Sequence, residues 1–278
     1  MWRGSSANAL SLNLFPMIHL VHTLGGCGGT LLSRCLGVMP GAAVLSEVNP
    51  AAVNLFPHFD PLYQDEHWLH LLSPEDWTRF SGLDFTAPGN FRDLIAVMHD
   101  RAAQAGRHLI LRDWNYIDYL GVPFNPQPPC RLTIYDALPD GVQTVATAFI
   151  RHPLDQWVSL CKHEELRPTL TPVIFCDGYL AFLRSLESIP VRKYEDFVLN
   201  PEREMRAICD DLMLPFEPEF LEKFHAFDAV TGDFTRLRET TISPPPRKPI
   251  PSGDLDKFHA SESYEQVLRL TGYREEPA

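Results

Sequence analysis

The chain has 278 residues, of which 45% are hydrophobic, so it is long enough to bury the core of one large domain. Its formal net charge of −12 argues against nonspecific binding to nucleic acid or to an anionic membrane. No apolar run approaches the roughly 20 residues that span a bilayer, and the amino-terminal segment has no apolar run followed by a cleavage site. The six cysteines form no CxxC pair and no cluster with histidine, so we expect free thiols, no metal site and a cytoplasmic location.

Strand-like and helix-like segments alternate along the chain, which is typical of a mostly parallel sheet with helices on its faces. The predicted strands are residues 17–22, 42–45, 108–112, 144–150 and 190–194. The predicted helices are residues 30–38, 90–105, 154–166, 175–186, 201–212 and 258–270, with Asn90 as the N-cap of the second. We therefore expect a single α/β domain over residues 1–278, built as a three-layer sandwich around a mostly parallel central sheet.

Two stretches do not follow this alternation. Residues 51–107 hold many aromatic residues and prolines ahead of their helix, and we interpret them as a helical insertion that covers a substrate pocket. Residues 228–257 include a proline-rich loop, in a chain whose 25 prolines are well above the usual share of about 5%. Such loops are either ordered surface loops and lids or plain connectors with no role.

The first candidate site is a glycine-rich loop between the first predicted strand and the first predicted helix. It consists of Gly25, Gly26, Cys27, Gly28, Gly29 and Thr30. The glycines allow positive φ and close approach, so that successive N–H groups can converge on one phosphate at the start of a helix. The alternative is a tight turn that binds nothing, because a glycine-rich turn alone is a weak signal. ATP or GTP hydrolysis is disfavoured, because a nucleotide triphosphatase has lysine at the position of Gly29.

The second candidate site lies where the fourth predicted strand ends. Arg151 stands at the carboxyl end of that strand, where open α/β sheets bind ligands, and Ser159 follows about two turns into the next helix. A guanidinium fork and a hydroxyl together suit a terminal phosphate. The alternative is a surface arginine that pairs with Asp155 on its own helix.

The sequence from Arg151 to Ser159, Arg-His-Pro-Leu-Asp-Gln-Trp-Val-Ser, resembles the 3′-phosphate-binding motif of sulfotransferases that use 3′-phosphoadenosine 5′-phosphosulfate (PAPS). With similar segments downstream, the resemblance covers residues 17–273. It implies a fold like that of P-loop nucleoside-triphosphate hydrolases, with the glycine-rich loop on the 5′-phosphosulfate and the basic pair Arg247 and Lys248 over the 3′-phosphate. It also implies PAPS as co-substrate, no metal, and sulfuryl transfer to a hydroxyl or amine of a small molecule or glycan.

Sulfuryl transfer requires a cation near the leaving oxygen and a base for the acceptor. Sulfotransferases usually carry lysine or arginine in the loop where this chain has Gly26. Arg112, at the end of the third predicted strand, is the candidate substitute, whereas Arg34 in the first helix is expected to be solvent-exposed. Glu47, after the second predicted strand, resembles the glutamate base of many bacterial sulfotransferases and could instead cap the next segment. Asp113 is the second candidate base, since it too stands at a strand end.

Two other functions remain open. The first is a catalytically weakened protein that binds PAPS or adenosine 3′,5′-bisphosphate (PAP), which the missing loop cation favours. The second is a small-molecule kinase, which Gly29 disfavours. We expect the insertion and Trp114, Tyr116 and Tyr119 to line the acceptor pocket, which favours an apolar or ring-bearing acceptor and no nucleic-acid or membrane partner.

Overall fold

The protein is described by a computed structural model that covers residues 17–232, 240–251 and 253–275. The strands are β1 (Met17–Thr23), β2 (Ala42–Val48), β3 (His108–Trp114), β4 (Gln143–Ile150) and β5 (Val191–Lys193). They form one parallel five-stranded sheet in the order β2-β3-β1-β4-β5. The connection after β1 leads toward β2 and the connection after β4 leads toward β5, so the two diverge between these adjacent strands. Open α/β sheets bind ligands beyond the carboxyl ends of the strands at such a point.

Helices separate and follow these strands within the described ranges. They are α1 (Gly29–Gly37), α2 (Pro61–Gln64), α3 (Pro74–Phe80), α4 (Pro88–Gln104), α5 (Tyr116–Tyr119), α6 (Pro153–Leu160), α7 (Pro172–Ser185), α8 (Tyr194–Leu199), α9 (Pro201–Asp211), α10 (Phe220–Lys223), α11 (Asp254–His259) and α12 (Glu262–Thr271). Short turns of 3₁₀ or π helix occupy Pro57–Phe59, Asp65–Leu69, Thr133–Ala137 and Phe224–Ala226. No helix of the described segments is long and apolar enough to cross a membrane.

Alternate residues of the strands face opposite layers, as the period of a strand requires. Val21 of β1 packs in a core with Leu32 of α1 and Met205 of α9, whereas Leu20 packs with Ile95 of α4 on the other face. Farther along that second face, α7, α11 and α12 cover the end of β4. The sheet is therefore buried on both sides, and the expected α/β sandwich is confirmed.

The helical ends differ from the prediction in four places, one of which is α7, which begins at Pro172 and not at residue 175. Helix α4 begins at Pro88 with Ala87 as its N-cap, rather than at Asn90, because proline suits the first helical turn. Helix α6 ends at Leu160, and the chain continues in turns over the rest of the predicted 154–166 helix. The predicted helix 258–270 is two helices, because the Ser261 side chain accepts a hydrogen bond from Tyr264 N and starts α12 afresh.

Candidate functional site

The glycine-rich loop joins β1 to α1 at the carboxyl edge of the sheet. Gly28 is the N-cap of α1 with φ 98°, and a Cβ there would collide with the ring of Tyr194. A Cβ on Gly29 would stand 2.6 Å from Arg112 Nη1. The α6 residue Gln156 holds the loop from outside, since its Nε2 donates to Leu24 O at 2.6 Å and to Gly25 O at 2.7 Å. These contacts fix a loop whose backbone N–H groups surround the start of a helix.

Cys27 and Thr30 are the two residues of the loop that have side chains. Cys27 is buried, and burial raises the pKa of its thiol to about 11. Its contribution at the site is therefore its backbone. The Thr30 hydroxyl donates to Thr231 O at 3.1 Å, which attaches the loop to the segment after α10.

Arg112 brings a cation to this loop from the neighbouring strand. The side chain is 3% exposed, and Nη1 donates to Glu47 Oε1 at 3.2 Å. Its Nη2 donates to Ser46 Oγ at 2.8 Å and to Thr231 Oγ1 at 3.1 Å. Because an added Cβ at Gly29 would meet this guanidinium, the positive charge lies beside the first turn of α1 although the loop itself has no basic residue.

Glu47 reaches the site through a distortion of β2. The pairing of β2 with β3 shifts register between Ser46 and Val48, so Glu47 is the extra residue of a β-bulge. Its φ of 58° is left-handed, which costs roughly 1–2 kcal/mol for a residue with a side chain. Strain of this kind is characteristic of functional positions. The bulge turns the Glu47 carboxylate toward Arg112.

Asp113 does not reach the cavity that Glu47 lines. Its side chain is fully buried, where it accepts hydrogen bonds from Asn49 Nδ2 at 3.0 Å and Asn115 Nδ2 at 2.6 Å. His22 Nδ1 lies 3.2 Å from the same carboxylate. Asn49 Nδ2 also contacts Asp118 at 3.3 Å, and burial, followed by the charge of Asp113, raises the pKa of Asp118 to about 7. Asp113 therefore links the strand ends through hydrogen bonds behind the loop, and its side chain does not line the cavity where an acceptor would bind.

Arg151 lies on the opposite side of the loop. Its guanidinium carbon is 4.6 Å from the centre of the Tyr194 ring, and Nη1 donates to Gly26 O at 3.5 Å. Its Nε is buried and has no hydrogen-bond partner within the described ranges. No ion pair joins Arg151 to Asp155 among those residues, and the Asp155 carboxylate lies 3.8 Å from Arg247 Nη2. The arginine therefore has unused donor capacity beside the loop.

Two cavities meet at Arg151 and Ser159. The first, the Lys248 cavity, measures about 420 Å³ and is bounded by α6, α8 and the proline-rich loop with Arg247 and Lys248. Its basic residues outnumber its acidic ones in a chain of net charge −12; they are Arg151, Lys162, Lys193, Arg247, Lys248 and Arg274. The second, the Glu47 cavity, measures about 350 Å³ and is bounded by the glycine-rich loop, Glu47 and Arg112. The structure thus places the two sequence-predicted anion sites in adjacent cavities that share Arg151 and Ser159.

Several residues of these cavities escaped the sequence analysis. His58 lines the Glu47 cavity, and burial lowers the pKa of its imidazole. Gly232 lines the same cavity, next to Thr231, whose N–H donates to Ser46 Oγ at 3.2 Å. Arg34 is buried and donates to His225 O at 2.9 Å and Phe227 O at 3.2 Å. The expectation that Arg34 is exposed was therefore wrong. His58 and Gly232 reach the cavity through tertiary packing. A single histidine in an aromatic stretch of sequence does not indicate that it lines a site.

The acceptor-side prediction needs one correction. Trp114 and Tyr116 line the Glu47 cavity, as do Phe56 and Phe59 from the 51–107 insertion. Tyr119 does not, because its ring packs edge-on against Phe182 of α7 in the core, with centroids 5.3 Å apart.

The fold of this chain is that of solved sulfotransferase domains. Among solved structures, the sulfotransferase domain of the Synechococcus PCC 7002 olefin synthase is similar over 92% of this chain and 94% of that domain, with 19% identity and a TM-score of 0.65. The sulfotransferase domain of the curacin biosynthetic pathway has 17% identity over 93% of this chain and 98% of its own, with a TM-score of 0.49. A mouse sulfotransferase complexed with PAP has 11% identity over 93% and 89%, with a TM-score of 0.46. No protein-family model and no curated protein matches the chain.

Proposed function

We propose that this protein transfers a sulfuryl group from PAPS to a hydroxyl or amine of a small molecule. The observation that carries the proposal is the meeting of the two cavities at Arg151 and Ser159. A donor with a phosphate on its ribose and a phosphosulfate at its 5′ end needs two anion sites joined by a groove. The Lys248 cavity and the glycine-rich loop supply one at each end.

The residues present suit such an anion. The buried Nε of Arg151 has no partner within the described residues, and an unsatisfied buried donor costs roughly 1–3 kcal/mol until a ligand satisfies it. Arg151, Ser159, Arg247 and Lys248 would hold the 3′-phosphate. The backbone N–H groups of residues 25–30 would hold the 5′ end, where Gly28 and Gly29 let the Tyr194 ring and the Arg112 guanidinium pack directly against the loop.

When bound, PAPS supplies the activated sulfuryl group. The Arg112 guanidinium and the N-terminus of α1 stabilise the negative charge that grows on the leaving side, since preorganised donors act strongly in a site shielded from water. Glu47 takes the proton of the acceptor hydroxyl, and its contact with Arg112 orients the carboxylate. His58 is a second base in the same cavity, because burial favours its neutral form.

The packing at position 26 supports the part of the proposal in which Arg112, and not a loop residue, supplies the cation. Gly26 has φ 70°, and a Cβ there would lie 3.1 Å from Leu160 Cγ and 3.2 Å from Gln156 O. The loop is packed for glycine at this position. Arg112 brings its cation to the loop at Gly29 instead.

Calorimetric titration with PAP tests the proposal. We expect the wild type to bind and Arg151→Ala to lose at least about tenfold in affinity, the equivalent of 1.4 kcal/mol. Arg184→Ala is the matched control, since Arg184 lies on exposed α7 surface and contacts Gln266. Failure of the folded wild type to bind PAP would overturn the donor assignment. Binding without consumption of labelled PAPS by any hydroxyl or amine acceptor would leave a nucleotide-binding protein.

A further inference from the structure

The far wall of the Glu47 cavity is built from aromatic rings. Five of them line it, contributed by the insertion, the end of β3, the start of α5 and the segment after α5: Phe56, Phe59, Trp114, Tyr116 and Phe124. We call them the ring wall. Trp114 stacks on Tyr116 with centroids 5.2 Å apart, and it lies 4.9 Å from Phe59 and 5.9 Å from Phe124. The rings support one another, so this surface is formed before any acceptor arrives.

The ring wall provides little hydrogen bonding. The Tyr116 hydroxyl is directed away from an acceptor, because it donates to Val122 O at 2.5 Å. A sugar has a hydroxyl on almost every carbon, and each one buried without a partner costs free energy. Flat hydrocarbon rings, in contrast, gain from burial against aromatic faces. The wall therefore favours a ring-bearing acceptor over a glycan.

The charged groups of the Glu47 cavity limit the class of acceptor further. The positive groups of this cavity, Arg112 and Arg151, stand on its donor side, and Arg112 is paired with Glu47. Glu165 also lines the cavity, 3.7 Å from His163, and its charge, after burial, raises the pKa of Tyr116 in the ring wall. With the acceptor hydroxyl at Glu47, a carboxylate or phosphate elsewhere on the acceptor would lie toward Glu165, and the described lining has no lysine or arginine besides Arg112 and Arg151. Such like-charge contacts act against anionic acceptors.

Size sets the last limit. The cavity of about 350 Å³ is near the lower end of the roughly 300–1,000 Å³ range of ligand pockets, and it must also hold the transferring group. Resting on the function proposed above, we propose that the acceptor is an uncharged aromatic hydroxyl compound of one or two rings, stacked on the ring wall with its hydroxyl at Glu47. The acceptor oxygen forms the new bond to sulfur as the bond from sulfur to the 5′-phosphate oxygen breaks. The electron pair leaves with PAP, and the hydroxyl proton passes to Glu47.

The test compares three acceptors with labelled PAPS: 2-naphthol, its carboxylated analogue 6-hydroxy-2-naphthoate, and N-acetylglucosamine. We expect kcat/KM for 2-naphthol to exceed that for the carboxylate by about three- to fivefold, because the facing Glu165 side chain is 53% exposed and its repulsion is screened by water. We expect no measurable transfer to the sugar. Absence of transfer to 2-naphthol, equal use of the carboxylate, or preference for the sugar would each overturn the inference.

Two variants connect the preference to the named residues. Phe124→Ala removes a half-buried ring and should raise KM for 2-naphthol while PAP affinity stays that of the wild type. Glu165→Lys should reduce the preference for 2-naphthol over the carboxylate several-fold, whereas Glu222→Lys, an exposed acid on α10, should not change it. PAP calorimetry on the same samples separates the two levels: loss of PAP binding by the wild type removes the proposed function, whereas PAP binding with the wrong acceptor preference removes only this inference.

Discussion

Arg112 Nη1 donates to Glu47 Oε1 at 3.2 Å, so the proposed cation and the proposed base of this site are bonded to each other. Both side chains are largely buried, at 3% and 10% exposed. Removing either partner outright would leave the other as a buried unpaired charge, which costs roughly 3–5 kcal/mol. Tests of their chemistry therefore need substitutions that preserve shape or charge.

We expect Arg112→Lys to keep PAP affinity and to lower kcat by about 10- to 100-fold. Lysine keeps the charge but cannot make the forked contacts with Glu47 and Ser46 at once, so the preorganisation that stabilises the leaving group is weakened. Steady-state kinetics with labelled PAPS measures this. The control is Arg192→Lys, which breaks an equally forked pair with Asp211, at 2.7 Å on both arms, outside the two cavities.

We expect Glu47→Gln to lower kcat by about 10²- to 10⁴-fold, the usual contribution of general base catalysis, with PAP affinity unchanged. The amide retains the shape of the bulge and one acceptor oxygen for Arg112 but takes no proton. Parallel kinetics and PAP calorimetry separate these effects. If the variant is as active as the wild type, Glu47 is not the base, and His58, which lines the same cavity, takes that role.

Gly26 and Gly141 form a matched pair for testing how the loop is packed. Both have positive φ, 70° and 74°, but a Cβ on Gly26 meets Leu160 at 3.1 Å whereas Gly141 has nothing within 4 Å. We expect Gly141→Ala to cost about 1–2 kcal/mol for the backbone alone, and Gly26→Ala to cost more and to weaken PAP binding. Urea unfolding measures both. Equal costs, or higher activity in Gly26→Arg, would contradict the view that the loop requires glycine here.

The parts of the site that depend on local sequence could be predicted, and those that depend on packing could not. The loop glycines and Arg151 directly follow strands, so the strand ends place them. The sequence could place Arg112 at a strand end but could not predict that its guanidinium lies beside Gly29. That orientation depends on Thr231, 119 residues later in the chain. Asp113 satisfies the same sequence rule as Glu47 and yet points into the core. The β-bulge at Glu47 is what gives the two side chains different orientations, and the sequence of β2 does not indicate that a bulge is present.

Cys27 should resist alkylation although it belongs to the loop. Burial raises the pKa of its thiol to about 11, so at pH 8 only about one thiol in 10³ is ionised, and the thiolate is the reactive form. Cys130 is exposed. We expect iodoacetamide under native conditions to modify Cys130 far faster than Cys27, as peptide mass spectrometry would show, and unfolding to abolish the difference. Similar native rates would contradict the burial of the loop.

Asp118 makes stability depend on pH near neutrality. Burial, followed by the charge of Asp113, raises its pKa from 3.8 to about 7, so the folded state binds this proton more tightly than the unfolded state does. The contribution to the free energy of unfolding is complete below about pH 4 and is lost as the pH rises to about 7. Because Asp118→Asn is neutral throughout, we expect its stability relative to the wild type to improve as the pH rises from 4.5 to 7.5.

Urea titrations across that range measure the difference between the two proteins, which cancels the titration of the other carboxylates. Asp140→Asn, at an exposed position, is the control and should parallel the wild type. The variant loses an acceptor for Thr133, whose hydroxyl donates to Asp118 Oδ1 at 2.7 Å, so its absolute stability can fall at every pH without affecting the argument. The slope is decisive, because only a group that titrates in the folded state within this range changes it. A constant difference between Asp118→Asn and the wild type would mean that Asp118 stays ionised beside Asp113, with Asn49 between the two carboxylates compensating their repulsion.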